Sequence, residues 1–200
     1  DIVYSLLLAN PTLVADSVAL FHTATHGNLA TAALDEAGSA ISAGINAMGT
    51  QRSDSGAVLN IRPRYLIVPQ ALKHTGLKLL TGTSIAKTGT AGAITTYIPV
   101  NVIEGEDMSL VVDDRIGAAG VTDPTTKPET ARTGLATNWF LSSGGERTIR
   151  KLYRRGTGRR PQVRSYTLDQ GQWGIGWDIN YDCGAKAMDY RGLYKSTGAG

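Results

Sequence analysis

The most regular pattern of apolar and polar positions lies near the end of the chain. Trp173, Ile175, Trp177, Ile179, Tyr181 and Cys183 alternate with Gly174, Gly176, Asp178, Asn180 and Asp182. Successive side chains of a strand point to opposite faces, so this predicts one long strand over 173–183, aromatic on one face and small or acidic on the other. Val163 to Leu168 is its expected hairpin partner across Asp169, Gln170 and Gly171. A different period governs residues 34–48, where Leu34, Ala37, Ile41, Ile45 and Met48 recur at spacings of three and four. That predicts an amphipathic helix of about four turns. Thr31 is its expected N-cap, with Asp35 and Glu36 in the favourable first turn.

The remaining segments read less sharply. Residues 1–10 resemble the last turns of an apolar helix stopped at Asn10-Pro11, with no cap or initiator Met ahead, so the earlier part of that helix is expected upstream. Val58 to Arg62 predicts a strand interrupted by Pro63, and Tyr65 to Val68 a buried strand. Pro69 suits the first position of a helix carrying Ala71, Leu72, Leu79 and Leu80. Residues 81–96 and 117–134, rich in Gly, Thr, Ala or Pro, are expected loops. Strands are expected at 98–103 and 109–116 around the acidic turn 104–107, then at 138–141 and 148–154. Helices gather early and strands late, which predicts an α+β fold rather than a doubly wound sheet.

Two hundred residues can bury a substantial core. The net charge of +3 is too small to imply a nucleic-acid or membrane partner by itself. Cys183 is the only cysteine, so no intrachain disulfide can form and a reducing compartment is expected. No run approaches the roughly 20 apolar residues of a membrane span, and no membrane partner is expected.

Candidate chemistry is sparse. His22 and His26 have the spacing of a helical zinc pair but lack the following Glu and sit in a loop-like segment, which favours local hydrogen bonding over metal binding. Ser84-Ile-Ala-Lys87 and Lys87-Thr-Gly-Thr90 match two signatures of penicillin-binding enzymes, with Ser53-Asp-Ser55 loosely resembling the third. One lysine would have to serve both motifs in adjacent residues, whereas the enzymes hold them on separate facing elements. Phosphate-binding loops, a dinucleotide fingerprint and a nucleophile elbow are absent, so no catalytic site, no cofactor and no metal is expected.

Charge is the sharper feature. Arg147, Arg150, Lys151, Arg154, Arg155, Arg159, Arg160 and Arg164 follow one another without an intervening acid, while Glu104, Glu106, Asp107, Asp113, Asp114 and Asp123 form an acidic set broken only by Arg115. Opposite patches on one chain can make head-to-tail contacts between identical subunits. The same basic residues also suit a solvated strand face or a basic hairpin over 147–164 tracking a phosphate backbone, the nucleic-acid-binding alternative.

A succession of short motifs adds a resemblance. His26-Gly-Asn28, the helix ending at Met48 with Gln51 after it, and Leu59-x-Ile-x-Pro-x-Tyr-Leu-Ile-Val-Pro69 are followed by Trp139-Phe-Leu141, Pro161-Gln-Val163, Asp182-Cys-Gly184 and Asp189-Tyr-Arg-Gly-Leu-Tyr-Lys195. Together they resemble the phage Mu-type major head subunit family, which also occurs fused behind a prohead protease. The resemblance implies a non-enzymatic tailed-phage or prophage shell subunit of the major capsid fold. It would assemble with itself into pentamers and hexamers, with scaffold, portal or decoration proteins as further partners and packaged DNA touched only non-specifically. It would reside in the virion capsid, and in the host cytoplasm during assembly. On this basis residues 1–27 are the end of a long helix and its connection in a peripheral lobe, 28–140 an axial lobe, and 141–200 peripheral-lobe strands and the C-terminal return. The N-terminal arm and extended loop would lie outside this sequence.

Overall fold

The computed structural model describes residues 1–81, 85–88, 94–98, 107–124, 126, 128–145, 148–156 and 159–199, with backbone alone at 85–88 and 94–98. Helix α1 (Ile2–Ala9) ends where Asn10 turns left-handed, and the Asn10 side chain then bonds both backbone groups of Phe21. Strand β1 (Leu29–Ala30), helix α2 (Ser39–Gly49) and strand β2 (Tyr65–Val68) follow. Helix α3 (Lys73–Thr81) is entered through a 3-10 turn at Gln70–Leu72. The later elements are β3 (Ile85–Thr88), β4 (Ile94–Ile98), β5 (Ser109–Val112), a 3-10 turn at Asp114–Ile116, β6 (Val121–Asp123), β7 (Thr130–Arg132) and β8 (Trp139–Ser142). They end with β9 (Ile149–Tyr153), β10 (Gln162–Thr167), β11 (Ile175–Asn180), β12 (Cys183–Ala187) and β13 (Leu193–Ser196).

A five-stranded sheet of order β1-β13-β8-β2-β5 divides two apolar cores. Alternation along its strands sends Leu66, Val68, Trp139, Leu141 and Tyr194 to one face, where Ile41 and Met48 of α2 and Leu79 of α3 cover them. The intervening Phe140 and Leu193 face Leu7, Leu13, Leu20 and Phe21 on the other side. Helix α2 lies close on the sheet because Gly44 has no side chain. A Cβ there would come within 2.9 Å of Leu141 Cδ1 and 3.0 Å of the Tyr194 ring. Trp139 Nε1 and Ser196 Oγ both donate to the Ala32 carbonyl, at 3.1 and 2.6 Å, tying the segment before α2 to the strands beneath it.

Several expectations are corrected. The helix is eleven residues long and starts at Ser39, because Gly38 adopts a left-handed φ of 73° that interrupts any helix from Thr31. Asp35 acts as a cap from outside, accepting from Ser39 Oγ at 2.8 Å and from the Ala40 N–H at 3.3 Å. Pro69 precedes the 3-10 turn and is not the first residue of an α-helix. Residues 58–62 form no strand beyond a bridge from Val58 to Arg52, and Asn60 is left-handed at φ 49°. Both expected loops contain hairpins, β3 with β4 and β6 with β7. The strand expected at 98–103 lies outside the described residues apart from Ile98, which ends β4.

The predicted strand 173–183 is two strands in two ladders: β11 pairs with β10, and β12 pairs with β9. The expected boundary at residue 141 falls inside β8, and β13 from the last segment joins the same sheet as β1 and β2. Mixed helices and sheets with mainly antiparallel pairing agree with the α+β expectation.

Candidate functional site

The two late ladders use the same two stretches of chain. Tyr153↔Cys183 to Ile149↔Ala187 form one, and Gln162↔Asn180 to Thr167↔Ile175 form the other. Only Tyr181 and Asp182 separate the strands on one rail, while residues 154–161 separate those on the other. The result is a long antiparallel ribbon with an excursion on one side that carries Arg154, Arg155, Arg159 and Arg160. The basic hairpin expected over 147–164 is therefore corrected: β9 and β10 succeed each other on one rail and do not pair with each other.

Directly opposed residues of an antiparallel pair share a face. Val163, Ser165 and Thr167 stand opposite Ile179, Trp177 and Ile175 on one face, and Arg164, Tyr166 and Gln162 oppose Asp178, Gly176 and Asn180 on the other. Trp173 is fully exposed, and Ile175, Trp177 and Ile179 are each about two-thirds exposed. At the base of the ribbon α1 packs against β12. There Asp1 and Ile2 surround a small depression with Lys151, Tyr153, Tyr181 and Cys183. No described residue from 149 to 186 is buried.

Three-dimensional placement changes the charge picture. Arg154 donates to Asp182 at 3.1 Å, and Arg164 faces Asp178 across the ladder. Arg150 is opposite Lys186, Lys151 is opposite Ala185, and the Arg159 guanidinium lies 5.9 Å from the Tyr153 ring centre. Arg155 and Arg160 are exposed on the excursion, and Arg147 lies outside the described residues. The basic tract is thus partly balanced by acids from the opposite rail, which linear order conceals.

The acidic set is more dispersed. Glu104 and Glu106 lie outside the described residues. Asp107 precedes β5 and Asp113 and Asp114 follow it, so the strand, about 13 Å long by its rise, lies between them. Asp107 is 88 % exposed and 3.7 Å from Arg64. Asp113 accepts from Arg115 Nη2 at 2.6 Å, and that hydrogen bond holds its carboxyl well below the usual carboxylate range. Asp114 accepts from the Gln70 N–H at 3.2 Å, and the buried Asp123 accepts from Arg132 at 2.9 Å. Asp113 and Asp123 therefore already have partners within the chain.

The histidine pair is also accounted for. His26 is buried, with Nε2 at 2.7 Å from Asp16, Nδ1 at 3.3 Å from the Leu20 carbonyl, and its ring stacked on Tyr190 at 3.8 Å. His22 Nδ1 accepts from the Thr25 N–H at 3.0 Å. Ser84 lies outside the described residues, and Lys87 is described only as backbone in β3.

Residues 1–196 match a family described as phage capsid protein. The chain belongs to the phage capsid protein family. That is a structural family, and the match does not single out the Mu type. No curated protein matches the chain. Among solved structures, it is similar to the holo-SrpI encapsulin complex from Synechococcus elongatus PCC 7942, at 11% identity and a TM-score of 0.47 over 97% of this chain and 59% of that one. It is also similar to a phage-related protein from Bordetella bronchiseptica RB50, at 10% identity and a TM-score of 0.40 over 80% of this chain and 50% of that one. This phage capsid family chain thus spans less than two-thirds of the length of either.

Sequence reasoning missed that the aromatic face of the ribbon is uncovered, because alternation by itself indicates a half-buried strand. The available signal was on the partner strand, where Ser165 and Thr167 oppose Trp177 and Ile175 and add little apolar surface. It also missed the Arg191 clamp, which donates to Asp189 at 3.2 Å, to Asp54 at 2.5 Å and to the Arg52 carbonyl at 2.8 Å.

Proposed function

We propose that this chain is part of the major shell subunit of a tailed phage or prophage, of the Mu head type, and that it acts by assembling with copies of itself into pentamers and hexamers. The family match along residues 1–196 supports the capsid part of this reading, and the Mu head type rests on the motif resemblance. The physical surface agrees with it: a long ribbon exposed on both faces, arginines displayed on one excursion, and the exposed carboxylates Asp107 and Asp114 elsewhere on the chain. A shell subunit stabilises no transition state; its chemistry is burial and charge pairing repeated between copies.

Within this reading the central sheet with α2 and α3 is the axial lobe. Helix α1, which packs against β12, belongs with the β9–β12 ribbon in the peripheral lobe. Scaffold, portal and decoration proteins are further partners, and the location is the virion, reached through the host cytoplasm.

Sedimentation of the purified full-length gene product over a range of concentrations tests the proposal. Large particles in equilibrium with a small subunit are expected. A single small species at every concentration and ionic strength would return the arginine excursion to the nucleic-acid reading, whose own mark is DNA binding that weakens steeply with salt.

A further inference from the structure

We draw no further inference here: the strongest candidate, the partly buried Lys195 side chain on β13, whose ammonium lies 5.7 Å from the ring centres of both Phe21 and Phe140, rests only on the downward shift that burial gives its pKa, and nothing in the structure shows a group for it to act on.

Discussion

Arg115 grips Asp113 side-on along one edge of its guanidinium, with Nη2 at 2.6 Å and Nε at 2.9 Å from the carboxylate oxygens. The same arginine reaches Asp1 at 3.3 Å and lies 4.2 Å over the Tyr4 ring, so it pins α1 to the turn after β5. Asp113 has a lowered pKa in the folded protein, chiefly through its hydrogen bond from Arg115. Its contribution to stability is therefore complete above the unfolded carboxyl pKa of about 3.9 and is lost as pH falls through the lower folded value. Arg115→Ala should cost about 1–2 kcal/mol at neutral pH. Urea unfolding of both proteins should show that difference shrinking in strong acid, and a pH-independent difference would contradict the assignment.

Gly44 is predicted to tolerate no branched side chain. The Leu141 and Tyr194 atoms that a Cβ would meet belong to the buried core between α2 and the sheet. Gly44→Val should destabilise by about 1–3 kcal/mol through overpacking. Thermal unfolding checks this, and a melting temperature equal to that of the unaltered protein would show that α2 does not sit directly on β8 and β13.

His26 is predicted to be a packing residue. His26→Ala removes the stack on Tyr190 and the contact with Asp16, and should cost about 2 kcal/mol. Calorimetric unfolding with and without zinc separates this from a metal role. The metal should leave the melting temperature of the unaltered protein unchanged, and a marked rise that His26→Ala abolishes would restore the ligand assignment.

The arginine excursion is predicted to serve assembly through charge. Replacing Arg155, Arg159 and Arg160 with serine should slow assembly about tenfold at low ionic strength, with the gap to the unaltered protein narrowing as salt screens the contact. Light scattering follows this directly. Equal assembly at all ionic strengths would place these side chains outside the contacts.

Much of the secondary structure was legible because it depends on neighbours in sequence. Leu66 and Val68 of the apolar run and the Trp139 to Leu141 strand are buried where their composition points, and Leu34, Ile41 and Met48 share one core although α2 begins only at Ser39. What was not legible depends on partners distant in sequence. The alternation through residue 183 has the right period, but Cys183 pairs with Tyr153 whereas Asn180 pairs with Gln162, and the mismatch in rail length divides the strand. The charge patches were less legible still. Linear order shows neither Asp182 beside Arg154 nor Arg132 beside Asp123.

If copies of this chain build a shell, negative-stain microscopy of the full-length gene product, expressed together with its neighbouring genes, shows it. Closed shells, rings or tubes made of this one protein are the predicted result. A field of uniformly small particles, unchanged by concentration or salt, would show that this protein does not form a shell.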